Sequence, residues 1–144
     1  MSDHQNFSLY NQYSQPDIAN PANIKGKVIA EYIWIDGSGI TLRSKCRTLD
    51  SKINNVSELP EWNYDGSSCY QATAENSEII MKPVSYFPDP FRGGDHILVM
   101  CETFKWEDST CQKLIPSNTN FRHFAEKVFN DPKAAGEEPW FGIE

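Results

Sequence analysis

The stretch Val28-Ile29-Ala30-Glu31-Tyr32-Ile33-Trp34-Ile35 decides how the chain folds. It is β-branched and aromatic, and too dense in apolar residues for an exposed strand, so we expect a central strand covered on both faces. Asp36-Gly37-Ser38-Gly39 follows with turn chemistry, because Asp and Gly tolerate positive φ. The sequence therefore predicts a β-hairpin over residues 28–48.

The returning strand of this hairpin alternates in polarity. Its apolar side consists of Ile40, Leu42 and Cys46, and its polar side consists of Thr41, Arg43, Lys45 and Arg47. This pattern is typical of a half-buried strand with a basic outer face. The basic side chains are expected to be solvated or to pair with an acidic neighbour.

Downstream of the hairpin the sequence predicts loops and two further strands. Residues 50–78 contain no long periodic segment and carry Asp-Gly, Ser-Ser and Pro, so we expect turns and loop. Residues 77–84 predict a strand in which Pro83 marks an edge or a bulge. A second loop over residues 88–95 precedes a buried strand at residues 97–104.

A helix follows these strands. Its apolar stripe, at the helical period, consists of Phe121, Phe124, Ala125, Val128 and Phe129. Asn118, Thr119 or Asn120 can cap its start, and Asp131-Pro132 ends it because a proline pushes the preceding residue out of the α region.

The composition disfavours several classes of function. A formal net charge of −7 argues against nucleic-acid binding, which needs a basic patch, and against attraction to anionic membranes. No stretch is long and apolar enough to span a bilayer, and the N-terminus lacks the pattern of a secretory signal. We therefore expect a cytoplasmic protein with reduced, partly buried cysteines, since no pair has C-x-x-C spacing.

The stretch Trp62-Asn63-Tyr64-Asp65-Gly66-Ser67-Ser68 groups side chains that suit a binding site. Two aromatic rings beside a carboxylate and two hydroxyls, on a loop, fit a small cation or a polar ligand. The same residues also fit an Asp-Gly turn whose stem is packed by the aromatics. The residues alone leave both interpretations open.

This stretch matches the W-N-[FY]-D-G-S-S pattern of glutamine synthetases at every position, and the chain resembles the eukaryotic type of that family. Further blocks match in the family's order and with similar spacing: Tyr32-Ile33-Trp34-Ile35-Asp36-Gly37, Arg47-Thr48-Leu49, Leu59-Pro60-Glu61, Asp89-Pro90-Phe91-Arg92, Asn120, Arg122 and Pro139-Trp140-Phe141-Gly142-Ile143-Glu144. The likeness covers roughly residues 28–144.

The resemblance implies an α+β fold: a small β-grasp-like mixed sheet with one packed helix, followed by the first strand of a catalytic domain. It implies that the β-grasp domain docks on the catalytic domain of a neighbouring subunit. Asp65 matches the aspartate that helps bind ammonium and remove its proton, since a carboxylate stabilises the cation and then favours release of nucleophilic ammonia. Trp62 and Ser67 are expected to shape this loop.

Glu144 matches the first glutamate of the family's G-x-E-x-E metal motif. Glutamate oxygens are usual ligands of Mg²⁺ or Mn²⁺, and alternate strand residues point the same way. One carboxylate does not hold Mg²⁺ tightly, so no cofactor is expected to bind tightly to this chain alone. The resemblance places the remaining metal ligands, the ATP pocket and the residue that binds glutamate beyond residue 144.

The sequence divides into a flexible polar arm (residues 1–26), a β-grasp domain (27–115), and a connector helix with the beginning of a truncated catalytic domain (116–144). The implied reaction joins glutamate to ammonia with ATP, through γ-glutamyl phosphate, in a ring of identical subunits. The chain alone is expected to be inactive. The alternative is a non-catalytic β-grasp module, or a remnant, that docks on a full-length subunit. A chain that stops inside an apolar run favours a fragment.

Three further features suggest ordinary structural or surface roles. His96 and His123 stand alone and are expected to be satisfied histidines of the surface or of a helix face. Arg92 is expected on a solvent-facing loop, although it could reach an anion across a subunit interface. Gly93-Gly94 indicates a flexible turn.

Overall fold

The computed structural model describes residues 26–143 of the chain. Its strands are β1 (Val28–Ile35), β2 (Leu42–Leu49), β3 (Trp62–Asp65), β4 (Glu78–Pro88), β5 (Ile97–Trp106) and β6 (Leu114–Pro116). Its helices are the 3-10 helices Val56–Glu58 and Gly66–Cys69 and the α-helices α1 (Phe121–Phe129) and α2 (Pro132–Gly136). The predicted arm, apart from Gly26, and the predicted metal ligand Glu144 lie outside the described residues.

The six strands form one mixed sheet in the order β2-β1-β5-β4-β3, and β6 pairs with β5. β1 and β5 run parallel, whereas the other pairs are antiparallel. The predicted hairpin is confirmed, with Val28 opposite Leu49 and Ile35 opposite Leu42. The α+β class with a mixed sheet is therefore confirmed.

One face of the sheet carries the core. β1 buries every second residue, namely Val28, Ala30, Tyr32 and Trp34. The residues between them are half-buried, so the expectation that β1 is covered on both faces was wrong. The apolar residues on its second face are partly shielded, which is why the sequence reads as a continuous apolar run.

The two faces of β2 are the reverse of those predicted. Lys45 lies opposite the buried Tyr32 and Arg47 opposite the buried Ala30, so the basic side chains share the core-facing side. Leu42 and Cys46 lie on the other side and are exposed. Alternation along a strand separates two sets of residues, but the partner strand decides which set faces the core.

The prediction of turns and loop over residues 50–78 was wrong at β3, which pairs with β4 at the edge of the sheet. Trp62 and Tyr64 turn toward the core face, whereas Asn63 and Asp65 are exposed. A strand of four residues is too short for its alternation to stand out beside Asp-Gly and Ser-Ser.

The strands at residues 77–84 and 97–104 are confirmed and are longer than predicted. The register of the β4–β5 ladder shifts between Pro83 and Ser85, which confirms the predicted irregularity at Pro83. The loop over residues 88–95 is also confirmed. β6, which covers the end of β5, was missed because it has three residues and ends in proline.

Helix α1 begins after its cap Asn120, whose side chain accepts a hydrogen bond from the backbone of His123, as predicted. The helix contacts the sheet through His123, edge-on to Phe104, but its apolar stripe is not buried: Phe121, Phe124, Val128 and Phe129 are between 43% and 59% exposed. Residues 139–143 form no strand and expose Trp140, Phe141 and Ile143, so the expected buried strand is absent over these residues. Within residues 26–143, neither helix has the length or the apolar character needed to cross a bilayer.

Candidate functional site

Asp65 is an exposed carboxylate held in one orientation by the turn that follows it. It ends β3 and caps the 3-10 helix Gly66–Cys69. Its Oδ1 accepts hydrogen bonds from the Ser67 hydroxyl at 2.6 Å and the Ser67 backbone N–H at 2.9 Å. These two bonds hold the pKa of Asp65 below its usual range, so the side chain is an anion at neutral pH.

The small residues of the turn are required by its packing. A Cβ on Gly66 would lie 2.3 Å from Cγ1 of Ile79, which leaves no room for a side chain. The Gly66 N–H donates to the Ser77 carbonyl at 2.6 Å, and the Ser68 hydroxyl donates to the Asp65 carbonyl at 3.1 Å. Close packing therefore requires glycine at position 66, and hydrogen bonds from Ser67 and Ser68 fix the turn.

The aromatic residues of the motif anchor β3 to the core. Tyr64 stacks on Trp34 with ring centroids 4.2 Å apart, and Trp62 meets the edge of Tyr32 at 5.6 Å. The Tyr64 hydroxyl donates a hydrogen bond to Oε1 of Gln71, and burial raises the pKa of Tyr64. Both sequence interpretations are thus realised in part: the motif is a turn with an aromatic stem, and it presents a carboxylate to solvent.

A second carboxylate lies beside Asp65. Glu78 is directly opposite Asp65 in the β3–β4 ladder. It accepts hydrogen bonds from Trp106 Nε1 at 2.8 Å and Asn63 Nδ2 at 2.6 Å, and these bonds lower its pKa. Two anionic groups on adjacent strands create a negative potential that favours a cation and opposes an anion.

An open groove of about 670 Å³ lies on the Glu78 side of this ladder. Its acidic lining residues are Glu75, Glu78, Glu107 and Asp108, with Lys105 as the basic one. Asp65 does not line it, so the groove extends the negative surface without containing the predicted site residue. Glu78 was missed by sequence reasoning, because strand pairing, which sequence spacing does not reveal, places it opposite Asp65.

The remaining sequence candidates are structural. His96 is 1% exposed, and its Nδ1 accepts the Ile29 N–H at 2.8 Å, so the expectation of a surface or helix-face position was wrong for it. His123 lies on a helix face, edge-on to Phe104, as expected. Arg92 is half-buried and pairs with Glu31 and Asp89, each at 2.6 Å, so its guanidinium is engaged within the chain and does not simply face solvent.

The described residues do not assemble a metal centre. Across residues 26–143, no three His, Cys, Asp or Glu side chains lie close enough together to hold an ion. All four cysteines are free, two of them buried and two exposed, which agrees with reduced and partly buried thiols.

Comparison with known proteins agrees with the fold and the motif. Residues 26–106 match the family model "Glutamine synthetase, beta-Grasp domain". The sequence is 53% identical over 118 residues to the chloroplastic leaf glutamine synthetase of Hordeum vulgare, covering 82% of this chain and 26% of that protein. It is 53% identical over 125 residues to the nodule isozyme of Lupinus angustifolius, covering 87% of this chain and 38% of that protein.

A cytosolic relative is similar to nearly the same degree: the chain is 51% identical over 125 residues to the glutamine synthetase cytosolic isozyme 1-3 of Arabidopsis thaliana, covering 87% of this chain and 34% of that protein. The chain thus spans about a quarter to two-fifths of the length of these relatives. The matched segment includes the whole motif around Asp65 and every strand except β6. The chain belongs to the glutamine synthetase family and carries its β-grasp domain.

Proposed function

We propose that this chain is the N-terminal part of a glutamine synthetase and that Asp65 binds ammonium in an active site completed by a catalytic domain. The observation that carries the proposal is an exposed, anionic carboxylate held on a rigid turn. A cation is bound best by an anion that does not have to be ordered first. Glu78 on the neighbouring strand adds to the negative potential.

Asp65 contributes to the reaction in two steps. Its carboxylate accepts charge-assisted hydrogen bonds from ammonium and so raises the local concentration of the cation. It then accepts a proton from ammonium, and the ammonia that forms attacks the carbonyl carbon of γ-glutamyl phosphate and displaces phosphate. The hydrogen bonds from Ser67 make Asp65 a weak base. Transfer of a proton from ammonium to Asp65 is therefore unfavourable by itself and proceeds only as the reaction consumes the ammonia that forms.

Trp62 and Ser67 support Asp65 and do not touch the reacting atoms. Trp62 fixes β3 against Tyr32, and Ser67 fixes the carboxylate through Oδ1. A substitution at either position is expected to act through the orientation or the pKa of Asp65.

The rest of the machinery lies outside the described residues. Glu144 is proposed as one ligand of Mg²⁺ or Mn²⁺. ATP would supply the phosphoryl group, and the metal would neutralise its phosphates. Glutamate, ammonium and ATP are the proposed substrates, and identical subunits in a ring are the proposed partners. We expect this assembly in the cytoplasm, and we expect the isolated chain to be inactive.

A fusion protein tests the proposal. Residues 1–144 would be joined to the part of the Arabidopsis cytosolic isozyme 1-3 that follows its matched segment, and ATP-dependent glutamine formation would be measured. The fusion is expected to be active, and the two separate pieces are expected to be inactive. An inactive fusion that assembles like the Arabidopsis enzyme would instead support a non-catalytic module that docks on full-length subunits.

A further inference from the structure

Lys45 connects the two edges of the curled sheet. It lies on the core-facing side of edge strand β2, and its Nζ donates to the carbonyl of Asn63 on the opposite edge strand β3 at 2.9 Å. The same ammonium group lies 3.6 Å from the ring centroid of Trp62. One side chain therefore contacts two consecutive residues of the strand that ends in Asp65.

Arg47 reinforces this contact from two residues further along β2. Its Cζ lies 5.1 Å from the ring centroid of Trp62 and 6.0 Å from that of Tyr32. The Tyr32 hydroxyl donates to the carbonyl of Pro60 at 2.8 Å, just before β3 begins. Two cations and one hydroxyl thus hold the start of β3 on its core-facing side.

The positions of Lys45 and Arg47 are electrostatically unfavourable for the two cations. Neither Lys45 nor Arg47 forms an ion pair within residues 26–143, whereas Arg43 on the same strand pairs with Asp36. Burial, followed by repulsion from Arg47, lowers the pKa of Lys45. Lys45 and Arg47 lie against one indole ring although they repel each other, in a protein whose net charge is −7. This arrangement indicates that the attraction of each cation to the ring offsets their mutual repulsion.

The edge strand β3, which Lys45 and Arg47 contact, needs stabilising contacts beyond its hydrogen bonds to β4. β3 has four residues, lies at the end of the sheet and pairs with β4. A short edge strand opens more readily than a central one. Asp65 is its last residue, so any fraying of β3 displaces the carboxylate.

We propose that Lys45 and Arg47 are positioning residues that clamp Trp62 and thereby fix the strand that presents Asp65. The effect on ammonium rests on the proposed function of Asp65, whereas the clamp itself does not. Neither side chain pairs with the Asp65 carboxylate; Lys45 acts through Trp62 and Asn63, and Arg47 acts through Trp62 and Tyr32.

Hydrogen exchange on the full 144-residue chain tests the clamp. Lys45→Met keeps the apolar stem and removes the charge, and Lys45→Arg keeps the charge. Lys52→Met is the control, because it removes an exposed lysine that pairs with Asp95 and not with a residue of β3. In Lys45→Met we expect the β3 amides to exchange about tenfold faster while those of β1 and β5 are unchanged. Lys45→Arg should restore most of the protection. Unchanged β3 exchange in Lys45→Met, or equal acceleration in Lys52→Met, would overturn the clamp.

A measurement on the wild-type chain does not depend on how the variants fold. The ring current of Trp62 should shift the Cε protons of Lys45 upfield of those of Lys52, because the ammonium group lies over the ring. Coincident shifts for the two lysines would overturn the proposal.

The fusion enzyme tests the consequence for ammonium. Lys45→Met should raise the KM for ammonium about tenfold and leave the KM for glutamate within twofold, and Lys45→Arg should recover most of the loss. An unchanged KM for ammonium with accelerated β3 exchange would confirm the clamp and contradict the role of Asp65. An inactive wild-type fusion would count against the proposed function alone, and the exchange result would still decide the clamp.

Discussion

Gly37 and Cys69 join the turn of the first hairpin to the segment that follows Asp65. The Gly37 N–H donates to the Cys69 carbonyl at 2.8 Å, and a Cβ on Gly37 would lie 2.1 Å from the carbonyl oxygen of Tyr70. The backbone approach is so close that glycine alone fits at position 37. The loop that carries the predicted site is thus fixed by a residue remote in sequence.

Gly37→Ala is expected to destabilise the chain by about 2 kcal/mol or more, because the added methyl group overlaps backbone atoms that cannot move aside cheaply. Denaturant unfolding measures the change. Gly136→Ala is the matched control: nothing lies within 4 Å of a Cβ there, so the substitution should be neutral or slightly stabilising. Equal effects at the two glycines would contradict the close approach.

Ser67→Ala is expected to raise the pKa of Asp65 toward its ordinary value, because the largest cause of its lowering is the hydroxyl hydrogen bond. A lowered pKa stabilises the fold above the unfolded value of 3.8, and this contribution is lost as pH falls through the folded pKa. Titration of the Asp65 carboxyl carbon by NMR follows the shift. Ser68→Ala should leave it unchanged, since the Ser68 hydroxyl donates to the backbone carbonyl and not to the carboxylate.

Tyr32 should make the fold sensitive to alkali. Burial raises its pKa from 10.0 to about 12, so the unfolded chain loses the phenolic proton first. The stabilising contribution is complete below pH 10 and is lost as pH rises to about 12. Tyr32→Phe should cost about 1 kcal/mol at neutral pH, through the lost bond to Pro60, and should flatten this alkaline decline.

The flattening will be partial, because burial also raises the pKa of Tyr64 and of Cys101. Unfolding measured by fluorescence between pH 9 and 12 covers the window for Tyr32. Tyr70→Phe is the control, since this ring is 78% exposed. An alkaline decline that is identical in the Tyr32 variant and the wild type would contradict the assignment.

The apolar stripe of α1 should contribute little to the stability of this chain. Val128 is 59% exposed, so Val128→Ser should change the free energy of unfolding by no more than about 0.5 kcal/mol. Met81 is fully buried, and Met81→Ala should cost about 2–5 kcal/mol. Comparable losses in the two variants, measured by denaturant unfolding, would show that α1 packs on the sheet.

The sequence predicts the hairpin, the two long strands and α1 correctly, because each carries a local signal. Periodicity and turn residues give β1 and β2, and the cap at Asn120 and the stop at Asp131-Pro132 bound α1. The faces of β2 could not be predicted, since its pairing with β1 decides them, and the inward-facing Lys45 and Arg47 lie against Trp62. That contact joins β2 and β3, which follow each other along the chain but lie at opposite ends of the sheet order.

The candidate site, like the fold, could be predicted from the sequence only where the signal is local. Asp65 stands out in the sequence because its motif is local. Glu78 and Gly37 do not stand out, because the first depends on strand pairing and the second on a loop that docks from a distant segment. The exposed stripe of α1 and the exposed Trp140 read as core residues in the sequence, since periodicity reports apolar faces and not what covers them.

The ammonium dependence of glutamine formation, in the fusion enzyme carrying Asp65→Asn, tests the central claim most directly. The substitution removes the charge and keeps the shape and the ability to accept a bond from Ser67. We predict that the KM for ammonium rises at least tenfold, equivalent to about 1.4 kcal/mol, and that the KM for glutamate stays within twofold. An unchanged KM for ammonium in a variant that still assembles and turns over would contradict the assignment of Asp65 as the ammonium ligand.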